Sequence, residues 1–144
     1  MISQLLRRYS TSNLSSKMVQ LHVVTGYDKF QEFFKNFDSQ GQKVHVLYSS
    51  IRKDDGTSWC TYCERAWPVI DKELEKTDPN SHFVRVQVGE REVWKDPECP
   101  FRKDPKTKLR VLPTLVRWNG PQRLEGEQCD KADLIDMMFN DDDD

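Results

Sequence analysis

The chain has 144 residues, 22 Lys and Arg against 24 Asp and Glu, and four cysteines. That length suits one domain around one core, and 36% apolar residues with 10% aromatics are enough to build it. A net charge of −2 leaves no global footprint for nucleic acid, and no apolar run approaches the roughly 18 residues of a membrane-spanning helix.

Residues 1–17 stand apart: they hold Arg7, Arg8 and Lys17, several Ser and Thr, and no acid before Asp28. Ile2, Leu5, Leu6 and Tyr9 fall at helical spacing opposite the arginines, which is the composition of a mitochondrial transit peptide. Arg7-Arg8-Tyr9-Ser10 also has the look of a matrix-processing site. A disordered extension with no address, and initiation at Met18, are the other readings.

The globular part is expected at 18–140. Leu21 to Val24 reads as a short strand. Thr25 then reads as a helix N-cap with Asp28 three residues on. Phe30, Phe33, Phe34 and Phe37 form an i, i+3, i+4, i+7 stripe on a helix that Gly41 ends. Lys43 to Ser49 is a second strand, followed by a polar loop from Ser50 to Ser58. Cys60-Thr61-Tyr62-Cys63 opens a helix to about Lys76, with Pro68 expected to kink it. After an Asp78-Pro79-Asn80 turn, His82 to Val88 alternates as a third strand. Val93-Trp94 sits in a short helical turn, and residues 96–108, with three prolines, read as an irregular, mostly exposed connection. Thr114 to Trp118 is a fourth strand, entered through Pro113. Asn119-Gly120 signals a hairpin into Gln122 to Glu125. Asp130 caps a last helix with Leu134, Ile135 and Met138 inward. Asp141 to Asp144 is an acidic, solvated tail, and without it the balance is 22 basic residues against 20 acidic. The order β-α-β-α-β, loop, β-β-α implies an α/β domain with a mixed sheet of about five strands between helical layers.

The cysteine pair carries the chemistry. The start of a helix offers unpaired N–H groups and a partial positive charge, and both favour a thiolate over a thiol. Cys60 lies nearest that end and is the candidate nucleophile. Cys63, two residues further on, can reach it and close a reversible disulfide, so it is the candidate resolving cysteine. Such a thiolate would also attack peroxides. A zinc half-site or an inert structural pair are the alternatives, but zinc needs two more ligands. Cys99 and Cys129 are single, and His22, His45 and His82 all fall in expected strands. Cys99 and Cys129 read as bystander thiols and the histidines as ordinary strand residues. No metal is expected.

Trp59-Cys60-Thr61-Tyr62-Cys63, Pro68 five residues after the pair, and Val111-Leu112-Pro113-Thr114 before a strand and hairpin resemble thioredoxin. Ser50 to Ser58, Val88-Gly89-Glu90, Trp94-Lys95-Asp96-Pro97, Phe101-Arg102-Lys103, Gly120-Pro121-Gln122 and Leu134 to Phe139 match one branch more closely, that of thioredoxin domain-containing protein 17, the small thioredoxin-related proteins. The resemblance runs from about residue 19 to 140.

What the resemblance implies is a thioredoxin fold, three-layer α/β/α, and a disulfide reductase that is recycled by thioredoxin reductase and NADPH and binds no cofactor itself. Protein disulfides or small disulfides such as cystine are the implied substrates, the cytoplasm the implied compartment, and a monomer the default. The resemblance gives Pro113 a cis peptide opposite the pair. It gives Leu112 a backbone that pairs with extended substrate, and Trp59, Thr61 and Tyr62 the rim around the sulfur. The branch usually has Pro-Asp where this chain has Thr61-Tyr62, and proteins of this fold span about −270 to −120 mV, so the dipeptide matters. Ordinary thioredoxins keep a buried acid on the strand before the pair. Lys43 to Ser49 has none, which leaves water or Glu64 for proton transfer. A thioredoxin-fold binding module with secondary redox activity is the alternative function.

Overall fold

The computed structural model describes residues 18–140. The basic leader at 1–17 and the acidic tail at 141–144 lie outside the described residues. In chain order the elements are β1 (Gln20–Thr25), α1 (Tyr27–Asn36), β2 (Val44–Ser49), α2 (Thr61–Leu74), β3 (His82–Gln87), α3 (Arg91–Lys95), α4 (Pro100–Lys103), β4 (Thr114–Arg117), β5 (Arg123–Glu125), a 3-10 turn (Gly126–Asp130) and α5 (Ala132–Asn140). The sheet order is β1-β3-β2-β4-β5. β3 runs parallel to both β1 and β2, and β4 and β5 are antiparallel additions.

All six residues of β2 are buried, as befits an inner strand covered on both faces. Its alternation assigns each face a layer. Tyr48 meets Phe30 of α1 at 5.8 Å between ring centroids. His45 meets Phe139 of α5 at 4.9 Å, and Phe83 of β3 meets the same ring at 5.9 Å. The domain is therefore a thioredoxin-type α/β/α sandwich with α1 on one side and α2 and α5 on the other.

Four local expectations are corrected. Thr25 does not cap α1. It is still in β1, its hydroxyl accepts the Gln87 side-chain amide at 2.8 Å, and the ladder continues through the Gly26 amide to Gln87 O at 2.9 Å. Gly26 makes the turn at φ 89°, a backbone that a threonine resists. The helix also ends at Asn36, well before Gly41. Phe37 is already extended, and its ring turns onto His82 at 5.0 Å.

Residues 96–108 are mostly exposed, as expected, but they are not irregular throughout. They contain α4, and Cys99, Phe101 and Thr107 are buried, with Leu109 just beyond. Phe101 drops between Tyr27 and Phe30 at 5.2 and 5.5 Å, while Tyr27 donates to Asp104 at 2.8 Å. Burial of that ring organises a segment whose prolines suggested only irregularity. Finally, Asp130 ends the 3-10 turn and pairs with Lys131 at 2.6 Å, and Leu134 is half-buried while Phe139 joins Ile135 and Met138 in the core.

Candidate functional site

The loop after β2 is held in place before it delivers the cysteines. Arg52 donates its amide to Gln87 Oε1 at 2.7 Å and its guanidinium to Asp71 of α2 at 2.9 Å, and its charge lies over Trp67 at 5.2 Å. Asp71 also receives Arg85 of β3, so one carboxylate ties loop, helix and sheet together. Burial pushes the Arg85 guanidinium down from its usual value, and the Asp71 charge opposes that. At the loop's tip the Gly56 amide bonds Lys53 O at 2.9 Å, with Gly56 at φ 84°. At its base Ser50 Oγ donates to Ser58 Oγ at 2.8 Å.

Ser58 then passes the chain into the site. Its hydroxyl accepts the Cys60 amide at 2.8 Å, and its own amide donates to Glu64 Oε2 at 2.6 Å. Glu64 thus turns back to the loop, as a carboxylate in the first turn of a helix does when it collects an orphan N–H.

Cys60 is the N-cap of α2, with φ −111° and ψ 103°, and its sulfur accepts the Cys63 amide at 3.2 Å. The two cysteines are joined as a disulfide with their Cα atoms 5.2 Å apart. They are not equivalent: Cys60 keeps 8% exposure and Cys63 has none. A second cysteine fully buried behind a slightly exposed first one suits a two-step exchange.

Facing the pair, the Leu112–Pro113 peptide is cis. Leu112 O lies 3.8 Å from Cys60 Sγ, and no backbone hydrogen bond among the described residues uses its amide or carbonyl. Trp59 is half-buried against the core, with its indole Nε1 enclosed and unpartnered among the described residues. Thr61 is exposed, and Tyr62 is 44% exposed. Trp59, Thr61, Tyr62, Leu112 and Pro113 therefore lie on the two segments that meet at Cys60.

Among the residues outside the pair, the sequence reading missed two. Cys129 is fully buried, with its sulfur 3.7 Å from Pro113 O and 3.5 Å from Leu124 O, and burial pushes its thiol up to about 12. Nothing in its spacing signals that contact. Arg65 lies over the Tyr62 ring at 5.4 Å, and their i, i+3 spacing was a legible signal. Cys99 is buried too. Among the described residues no group of three or more His, Cys, Asp or Glu is arranged to hold a metal ion.

A reversible cysteine pair at the first turn of a helix, set against a cis-proline loop on this sheet, defines a thiol–disulfide oxidoreductase of the thioredoxin fold. The family model described as "Thioredoxin domain-containing protein 17-like, thioredoxin domain" matches residues 23–141, and the chain belongs to that family. It is 39% identical over 120 residues to "Thioredoxin domain-containing protein 17" of Danio rerio, covering 83% of this chain and 94% of that one. It is 43% identical over 127 residues to "Thioredoxin-like protein Clot" of Arabidopsis thaliana, covering 85% and 94%. Among solved structures, the reduced thioredoxin pre-protein of Schistosoma mansoni superposes with a TM-score of 0.51 at 19% identity, over 83% of this chain and 98% of that one. That likeness concerns the fold.

Proposed function

We propose that the chain is a disulfide reductase of thioredoxin type. The observation that carries the reading is the asymmetry of the pair: Cys60 keeps a small exposure, Cys63 has none, and the Leu112 carbonyl faces Cys60. In the dithiol state the Cys60 thiolate, held by the Cys63 amide and the helix start, attacks one sulfur of a substrate disulfide. The substrate S–S bond breaks, the first substrate thiolate leaves, and a mixed disulfide remains on Cys60. Cys63 loses its proton and attacks Cys60 Sγ, which forms the Cys60–Cys63 bond and releases the second substrate thiolate. Two electrons pass from the protein to the substrate.

Leu112, free of backbone partners, would pair with an extended substrate segment, and Trp59, Thr61, Tyr62 and Pro113 would form the surface around it. Thioredoxin reductase and NADPH would return the pair to the dithiol, and protein disulfides or small disulfides such as cystine would be the substrates. We place the protein in the cytoplasm on the strength of the family resemblance, and take a monomer as the default because no feature of the sequence specifies an interface. The basic leader makes mitochondria the competing address, and 1–17 and 141–144 would be appendages to a domain at 18–140.

The test is NADPH consumption by the full chain with thioredoxin reductase and insulin or cystine. Cys60→Ser should lose turnover by at least about 100-fold. Cys63→Ser should lose turnover yet accumulate mixed disulfides visible by mass spectrometry. Full activity of Cys60→Ser sinks the reading.

A binding module is the second reading, favoured by the loop that Asp71 and Gln87 hold rigid beside the pair. A partner whose affinity survives the double Cys60→Ser, Cys63→Ser change would support it.

A further inference from the structure

Arg65 differs from the other arginines near the site. Arg52 and Arg85 share Asp71, and Arg110 and Arg123 share Glu125. Arg65 is exposed and makes no ion pair among the described residues. Glu64, next to it in sequence, holds the Ser58 amide, and Asp130 holds Lys131, on which Glu127 also acts. Lys131 also feels the Arg65 charge, so a second cation stands in electrostatic reach.

What Arg65 does touch is the ring of Tyr62, with its guanidinium carbon 5.4 Å from the centroid. Tyr62 lies between the two cysteines, and its ring is 44% exposed. The aromatic face narrows the positions open to the guanidinium, and its planar fork of N–H donors suits a carboxylate bound through two parallel hydrogen bonds. The positive end of α2 adds to the same field.

We propose that Arg65, five residues from Cys60 and laid on the exposed ring of Tyr62, selects disulfides that carry a carboxylate beside the scissile bond. This rests on the reductase reading above. The redox step is unchanged: the dithiol gives two electrons to the disulfide, two substrate thiols leave, and the Cys60–Cys63 bond forms. The carboxylate is not altered. It docks on Arg65 and brings the neighbouring sulfur to Cys60. The same chemistry is available in a free low-molecular-weight dicarboxylate disulfide and in an acidic peptide segment around a protein disulfide.

The experiment measures single-turnover oxidation of the reduced full chain by three model disulfides: 3,3′-dithiodipropionate, bis(2-hydroxyethyl) disulfide and cystamine. A second arm uses cystine-linked peptides with Asp or Lys beside each Cys. The readout is the ratio of anionic to neutral rate, and of Asp to Lys peptide rate, so general damage cancels. Arg65→Gln should lower the ratio about threefold and Arg65→Glu about tenfold, as expected for one and two units of surface charge. The preference should shrink in high salt, and Tyr62→Leu should lose part of it while keeping the cation. A drop confined to the small disulfides identifies free molecules as the source, and one confined to the peptides identifies acidic protein segments. If Arg65→Glu leaves both ratios unchanged while the neutral disulfide is reduced, this inference is overturned and the reductase reading stands. If the parent chain reduces none of the probes, both fall.

Discussion

The Cys129 sulfur lies 3.7 Å from the carbonyl oxygen of Pro113, so a buried cysteine outside the redox pair touches the loop that faces it. The same carbonyl receives the Gly126 amide at 2.8 Å. With its thiol pushed up to about 12 by burial, Cys129 stays protonated throughout the physiological range, a weak donor with the Leu124 and Pro113 carbonyls within reach. Its enclosure has a direct chemical consequence. In the folded, reduced chain at pH 8, iodoacetamide should label Cys60 and leave Cys129 unmodified, with Cys129 reacting only in denaturant. Peptide mapping by mass spectrometry reads this, and native labelling of Cys129 at a rate near that of Cys60 would contradict the assignment.

Ser58 joins the loop to the site through three contacts, with Ser50 Oγ, the Cys60 amide and the Cys60 carbonyl. Removing the hydroxyl leaves the enclosed Cys60 amide without its partner. Ser58→Ala should cost about 1–2 kcal/mol, read by urea unfolding of the oxidised protein. Ser58→Thr, which keeps the oxygen, should recover most of it. Equal stability of the alanine and threonine variants would show that the hydroxyl contributes nothing.

Asp71 neutralises two arginines, and its removal strands both charges. Asp71→Asn should lower stability by about 1–3 kcal/mol. It should also speed hydrogen exchange across residues 51–58, because Arg52 loses its anchor on α2. If exchange in that loop is unaffected, the Arg52 amide bond to Gln87 is enough to hold it.

His22 and His82 provide a pH dependence away from the redox pair. His22 Nε2 lies 3.1 Å from His82 Nδ1, and His82 Nε2 lies 2.8 Å from Gln42 Oε1. Since Gln42 Oε1 can only accept, His82 carries its proton on Nε2 and receives the His22 Nε2–H on Nδ1. Phe33 and Phe37 pack on His22 at 5.2 and 5.4 Å. Burial, and for His22 also the neighbouring His82, pushes both below the usual 6.5. The unfolded chain therefore takes up protons first as pH falls. The stability this pair contributes is complete above about 6.5 and is lost as pH drops from there through the folded values. The urea midpoint should fall between pH 7.5 and 5.5, and the fall should be shallower in a His22→Gln, His82→Gln variant. Parallel slopes would assign the loss to other groups.

The fold class, the order of the strands and long helices, and the cysteine pair were legible from the residues, because each rests on local periodicity or local spacing. The alternation of Val44 to Ser49 and the four-phenylalanine stripe depend only on which residues must leave water. Helix-start chemistry at Cys60 depends only on neighbours one turn away. Distant partners lie beyond that reach. Thr25 looked like a cap until Gln87 claimed its hydroxyl and kept it in the sheet. Residues 96–108 looked loose until Phe101 found Tyr27 and Phe30, some seventy positions earlier. The unequal burial of Cys60 and Cys63, the contact of Cys129 with Pro113 and the binding of loop to helix by Asp71 came only with the tertiary structure. Each joins side chains or backbone groups that no periodic pattern relates, and only packing of the sheet against its helices brings them within a few ångströms of one another.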